Sequence, residues 1–330
     1  MTLPARIAHY NVLERIGEGG IGEVYRARDT KVGRTVALKV VSPALAGDPA
    51  RLTRLLDAAS AAATLSHPNI ATLWDVGEAD GVHYLAYEFA AGRRLRDESA
   101  GVPMNPRRAL DLAIQIADGV ADGHAHGIIH GDLRPDTIVV TTKGSAKILD
   151  FGLAPWTNGG ALRSRAARAA DDLPAETVSV IGYLSPEQAL GDTVDQRTDV
   201  FSLGTLTYEL VTGRNPFAAA TASDTIVNVI QGSIPPPSQA NGAVPKDLDA
   251  VIARALTRDL GQRQQSAAAL AAELRSVAAV LDVRSGDVQD ERSALLPIDE
   301  SPDRRASGLL AGALIAAAAA AGLVWWLLTR

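Results

Sequence analysis

The sequence predicts an α+β chain of two lobes, a small antiparallel-sheet lobe followed by a larger helical one, ending in a C-terminal transmembrane helix. Three observations predict it. Residues 10–45 alternate apolar and polar and are punctuated by glycine, the period-2 pattern of twisted antiparallel strands. After Gly92 the apolar residues move to i, i+3, i+4, i+7 spacing, with Leu110, Ala113, Ile114, Ala117, Val120 and Ala121 marking one long buried face. From Gly308 to Leu328 run 21 residues without a charge, GLLAGALIAAAAAAGLVWWLL. As a helix this stretch extends about 32 Å, enough to cross a bilayer core.

The elements follow in order. DTKVGR at 29–34 is a predicted turn, and TVALKVV is the strand after it. A first helix is predicted at 51–65, closed by Ser66-His67-Pro68-Asn69, with strands at 71–76 and 83–89. Beyond the long helix after Gly92, further helices read at 199–212, 223–231, 246–256 and 266–281. Residues 282–307 are polar and acidic with Pro297 and Pro302, the composition of a solvated juxtamembrane linker. The predicted domains are an extension at 1–8, a two-lobed domain at 9–280 divided at 90/91, the linker at 281–307 and the span at 308–328. No internal repeat at a solenoid or propeller period stands out.

Composition narrows the function. The chain has 330 residues, 47% of them apolar, enough for a sizeable core, and 21% charged, which argues against disorder throughout. A formal charge of −6 argues against a nucleic-acid binder relying on a basic surface. With no cysteine there is no disulfide, thiolate zinc site or cysteine nucleophile, and six scattered histidines make no metal cluster. MTLPARIAHY lacks the apolar core of a signal peptide, so export is not expected. Arg304 and Arg305 flank the near side of the span and Trp325 and Trp326 the far interface, an orientation that keeps residues 1–307 in the cytoplasm. Only Thr329 and Arg330 follow, so no sizeable outer domain is expected. Gly308, Gly312, Ala316 and Ala320 form a candidate homodimer face, although so alanine-rich a segment makes the pattern nearly unavoidable. A buried soluble helix is the competing reading of the stretch.

Chemistry begins at Gly17-Glu18-Gly19-Gly20-Ile21-Gly22-Glu23-Val24, a G-x-G-x-x-G-x-V run. A dinucleotide fingerprint would open a helix, whereas EVYRARD alternates like a strand. A glycine hairpin free of side chains can lie over a triphosphate and donate backbone N–H groups; a flexible turn is the alternative. In Val36-Ala37-Leu38-Lys39 the lysine sits seventeen residues beyond Gly22 among apolar strand residues. Buried there it needs an anion such as a phosphate; snorkelling to solvent is the alternative. Then come Ile128-Ile129-His130-Gly131-Asp132-Leu133-Arg134-Pro135-Asp136-Thr137-Ile138-Val139 and, eighteen residues after Asp132, Asp150-Phe151-Gly152. Each aspartate follows an apolar run that reads as β. Phosphoryl transfer needs two such carboxylates, one to accept the hydroxyl proton and one to hold Mg²⁺.

In this order, and with Ser185-Pro186-Glu187 beyond, residues 9–280 resemble a bacterial serine/threonine protein kinase of the eukaryotic-like type. The resemblance implies the bilobal protein-kinase fold and an enzyme that uses ATP with Mg²⁺ or Mn²⁺ to phosphorylate a protein substrate, which the span at 308–328 would anchor to a membrane. It implies Asp132 as base, Lys39 and Arg134 as phosphate contacts, and Asp150 and Thr137 as metal ligands. Gly17, Gly19, Gly20 and Gly22 would meet the nucleotide phosphates. Ile16, Val24, Ala37 and Val139 would sandwich adenine, and the backbone of Glu88, Phe89 and Ala90 would bind its edge, with Tyr87 as gatekeeper. Glu187 and Arg263 would form a buried ion pair, and Asp199 would fill a structural position.

Several residues depart from the family pattern. Ala58 stands where a helix glutamate would pair with Lys39; Asp57, about 100° round the helix, reaches it only if the helix rotates. Thr137 replaces an asparagine, Arg134 a lysine, Gly131 an arginine and Val180 a threonine. Without a cation at Gly131, a phosphate on Thr177 or Ser179 gains no local partner, so activity independent of phosphorylation in this segment is expected. These changes keep a pseudokinase scaffold open as the alternative. A small-molecule phosphotransferase, which also uses His-Gly-Asp, is a third reading.

Overall fold

A computed structural model describes residues 4–99, 101–156 and 178–295 of the chain. The span at 308–328 with Arg304, Arg305, Trp325 and Trp326, the prolines Pro297 and Pro302, and Thr177 all lie outside the described residues. Among the described residues no helix is long and apolar enough to cross a membrane.

The first lobe is built on six antiparallel strands: β1 (Arg6–Ile7), β2 (Tyr10–Glu18), β3 (Gly22–Asp29), β4 (Thr35–Val41), β5 (Leu73–Ala79) and β6 (Val82–Glu88). They lie in the order β1-β2-β3-β4-β6-β5. Alternation divides their side chains between two apolar clusters. Tyr10, Tyr25, Ala27, Val36, Leu38, Tyr84 and Ala86 pack on one face. Val41, Leu73, Leu85 and Tyr87 pack on the other, where Leu55 and Ala59 of a helix cover them. That helix, α2 (Pro49–Ala62), follows a single-turn α1 (Pro43–Ala46). It starts earlier than the predicted 51, because the Asp48 carboxylate accepts from Arg51 N at 3.0 Å and Pro49 occupies the first helical position.

The second lobe holds α3 (Leu95–Ser99), α4 (Pro106–Ala125), α5 (Val178–Ile181), α6 (Pro186–Leu190), α7 (Arg197–Thr212), α8 (Ala222–Gln231), α9 (Pro237–Ala240), α10 (Asp247–Ala255) and α11 (Ala267–Leu295). Asn105 caps α4 by accepting from Arg107 N and Arg108 N at 3.0 and 3.3 Å. The α4 face predicted from spacing is buried: Leu110, Ala113, Ala117 and Val120 join one core with α7 and α10. α11 contributes Leu270, Leu274 and Val277 to the same core. It then continues helical to Leu295, into the stretch whose composition reads as linker. Glu, Arg, Gln and Ala are good helix formers, so polarity there argues for solvation and not for irregular backbone.

Three short strands escaped the sequence reading as a sheet. β7 (Gly92–Arg94), β8 (Ile138–Thr141) and β9 (Ala146–Ile148) form an antiparallel sheet in that order. Runs of three or four residues are too brief to establish a period of two. β9 also ties the lobes together. Ile148 N donates to Asn69 O at 2.7 Å and Ala71 N to Ile148 O at 2.8 Å, while the Asn69 amide donates to Ala146 O at 2.8 Å. The His-Pro-Asn turn is thereby fixed two residues before Asp150.

Candidate active site

The glycine run forms the hairpin between β2 and β3, closed by Gly19 N donating to Gly22 O at 2.8 Å. Its glycines serve different ends. A Cβ on Gly22, where φ is +152°, would lie 2.0 Å from Val40 O, so the close approach to β4 requires glycine. A Cβ on Gly17 or Gly19 would meet nothing within 4 Å, so these leave a bare backbone surface. Gly20 is exposed beside them.

Register then aligns the cleft wall. Val24 pairs with Lys39, and Ala37 with Tyr87, so all four side chains face one way. The Lys39 ammonium forms an ion pair with Asp150 Oδ1 and stands 5.4 Å from the centroid of the Tyr87 ring. Burial by itself would raise the Asp150 carboxyl, but the charge and hydrogen bond of Lys39 outweigh it, with His130 and Arg94 adding, and hold it below the usual carboxylate range. Asp150 has φ +60°, an uncommon backbone state for a residue other than glycine, and Gly152 follows at +75°. Phe151 turns inward, edge-on to His130 with centroids 5.1 Å apart, over Gly123 of α4, where a Cβ would strike its ring. Asp57, in contrast, is exposed on α2.

Asp132 does not follow a strand. Ile128–Ile129 reads as β by apolarity, yet the backbone from 128 to 134 is irregular and held by side chains. The buried Asp199 carboxylate accepts from His130 N at 2.8 Å, Gly131 N at 2.7 Å and His124 Nε2 at 2.8 Å. Burial would raise the Asp199 carboxyl; His124 first and then His130 and the Gly131 amide outweigh this and keep it low. His130 Nδ1 accepts from Asp132 N at 3.1 Å, and its Nε2 meets Leu149 O at 2.9 Å. One imidazole therefore couples the backbone of Asp132 to the residue before Asp150. Gln188 reaches Gly131 O at 2.8 Å.

Arg134 donates through Nε to Asp132 Oδ1 at 3.3 Å and through Nη1 to Asp136, which Arg96 also contacts. Asp136 had no role in the sequence reading; a second carboxylate two residues from Arg134 was the available signal. The Thr137 hydroxyl accepts from Arg134 N at 3.2 Å and lies 3.1 Å from Asp132 O and 2.9 Å from Arg134 O. Most of its bonding capacity closes the loop, leaving one lone pair for a metal. Val180 lines the same crevice as Gly131, Asp132 and Tyr183, so the hydroxyl it lacks is missing beside Asp132.

The remaining predicted residues surround this centre. Val139 on β8 is buried, Ala37 and Ala90 are half-buried, and Ile16 is 41% exposed at the hairpin base. Glu88 N already donates to Thr72 O at 2.8 Å, and its carboxylate pairs with Lys147 at 2.8 Å, so neither group is spare. Away from the cleft, the buried Arg263 meets Glu187 at 2.8 and 3.2 Å, and Thr198 donates to the same carboxylate. Burial raises that carboxyl, but Arg263 lowers it further and the pair stays ionised.

A family model described as the protein kinase domain matches residues 10–274. The chain belongs to the protein kinase family. Within the family its relatives are bacterial serine/threonine kinases. It is 37% identical over 284 residues to the serine/threonine-protein kinase PknB of Mycobacterium tuberculosis, covering 83% of this chain and 44% of that protein. It is 33% identical over 281 residues to PrkC of Bacillus subtilis, covering 84% and 42%. The chain thus spans less than half the length of these relatives. Among solved structures it is similar to the kinase domain of M. tuberculosis PknI, with a TM-score of 0.64 and 25% identity over 84% of this chain and all of that one. The bilobal fold and the kinase motif order expected from sequence stand.

Proposed function

We propose that the chain is a serine/threonine protein kinase that transfers the γ-phosphate of MgATP to a protein hydroxyl, held at the cytoplasmic face of a membrane by residues 308–328. The observation that carries this reading is the Lys39–Asp150 ion pair, with Asp132 coupled to the same segment through His130. The names of its relatives point to the same activity.

In this reading the bare hairpin at Gly17, Gly19, Gly20 and Gly22 covers the phosphates, and Lys39 contacts the α- and β-phosphates. Ile16, Val24, Ala37 and Val139 enclose adenine, with the backbone of Glu88 and Ala90 at its edge. Asp132 orients the incoming hydroxyl and accepts its proton on the carboxylate. Arg134, already beside Asp132, offsets charge on the γ-phosphate. Asp150, kept ionised, fits a divalent cation, Mg²⁺ or Mn²⁺, with Thr137 offering a second oxygen. Such a cation neutralises charge on the phosphate oxygens.

A second reading, nucleotide binding with negligible transfer, draws support from the Thr137 hydroxyl engaged in its own loop and from Ala58 and Val180. One experiment separates the two. The purified chain is incubated with labelled ATP and Mg²⁺ or Mn²⁺, and transfer to itself or to a generic basic protein is measured beside Asp132→Asn. The kinase reading expects Asp132→Asn to lower transfer by about 10²- to 10⁴-fold with nucleotide binding retained. Equal background labelling by both proteins, each still binding ATP, would instead establish the scaffold.

A further inference from the structure

The cleft wall behind Lys39 contains a polar atom with no use. Tyr87, near the end of β6, is 5% exposed, and its hydroxyl is a buried side-chain atom without a hydrogen-bond partner among the described residues. Phenylalanine would fill the same space without stranding a donor, so the hydroxyl needs an explanation. Its surroundings supply one. The ring faces the same way as Lys39, whose ammonium lies 5.4 Å from its centroid, within the range of cation–π attraction. Burial first, and then the nearby Asp150 charge, push the phenol well above its ordinary value, so it keeps its proton. Across the cleft α2 offers no carboxylate. Ala58 packs against the apolar cluster that contains Tyr87, and Asp57 is exposed.

We infer that Tyr87 is a positioning residue for Lys39 and Asp150, its ring supporting the ammonium where α2 presents Ala58 and its hydroxyl donating to Asp150 once nucleotide is bound. The inference rests on the kinase reading. With the cleft empty, Lys39 is the cation that pairs with Asp150. Phosphates entering the cleft draw the ammonium toward themselves, and the Asp150 carboxylate, which would then meet the cation, keeps lone pairs open to a donor. The phenol proton is an unspent donor on that wall. A hydroxyl that is idle in the empty protein and engaged in the bound one is selected by the bound state.

Tyr87→Phe in the full chain separates these states, read by melting temperature without nucleotide and by direct titration with MgATP. The melting temperature should equal or exceed the parent's, because a stranded donor is removed. Affinity for MgATP should fall about tenfold, the scale of one hydrogen bond to a charged group. Unchanged affinity would reduce the hydroxyl to a core defect and overturn the inference while leaving the kinase reading intact. A lower melting temperature would mean that the hydroxyl is already partnered in the empty protein, and the inference would fall in the same way. A parent that binds no MgATP overturns both.

Discussion

Glu209 on α7 accepts a hydrogen bond from the Tyr183 hydroxyl, and burial pushes its carboxyl up to about 7 against a partial opposing effect of Arg96, with Asp136 adding to the rise. The ordinary value is 4.5. Between these values the folded chain keeps a proton that the unfolded chain has released. Stability should therefore be greatest below about pH 4.5, as far as this group is concerned, and fall with rising pH until about 7. The full effect is on the order of 3 kcal/mol. Glu209→Gln retains an acceptor for Tyr183 and should flatten this part of the profile in denaturant unfolding measured at several pH values. An unchanged slope would remove Glu209 from the account. Nothing in the sequence pointed to Glu209, since its environment comes from Tyr183, Arg96 and Asp136, each far away in the chain. Lys39 and Asp150 were legible because an ionisable residue in an apolar strand or after an apolar run already demands a partner.

The glycine hairpin illustrates how an element assigns different duties to one residue type. Gly22 is fixed by its close approach to Val40 O, whereas Gly17 and Gly19 face open space. Gly22→Ala should cost about 1 to 3 kcal/mol and lower the melting temperature by several degrees. Gly17→Ala should leave it within about a degree, since a Cβ there meets nothing within 4 Å. Matching melts for the two variants would show that β3 and β4 can part without cost. The sequence identified all these glycines as one motif, and only the pairing of β3 with β4 distinguishes them. The loop at 128–134 makes a similar point. Its apolar residues predict a strand, but Asp199, arriving on α7, supplies the acceptor that a neighbouring strand would have given.

For the molecule as a whole, the proposed anchor is testable independently of catalysis. Twenty-one uncharged residues at 308–328 should keep the chain in the membrane pellet through high salt and alkaline carbonate, with release by detergent. A chain ending after Ser307 should appear in the soluble fraction. If the chain with residues 308–328 intact is also soluble, that stretch is not a span.

The sequence alone determined the lobe order, the long α4 face and the demand of Lys39 and Asp150 for partners, because each rests on local pattern or on a charge that cannot be buried alone. Tertiary structure decided what those residues touch. His130 bridging to Leu149 O, Asn69 clasping β9, Arg134 shared between Asp132 and Asp136, and the stranded Tyr87 hydroxyl all join residues distant along the chain. Such contacts depend on how sheets and helices stack, and a periodicity of two or 3.6 residues carries no information about the partner on the other side of a cleft.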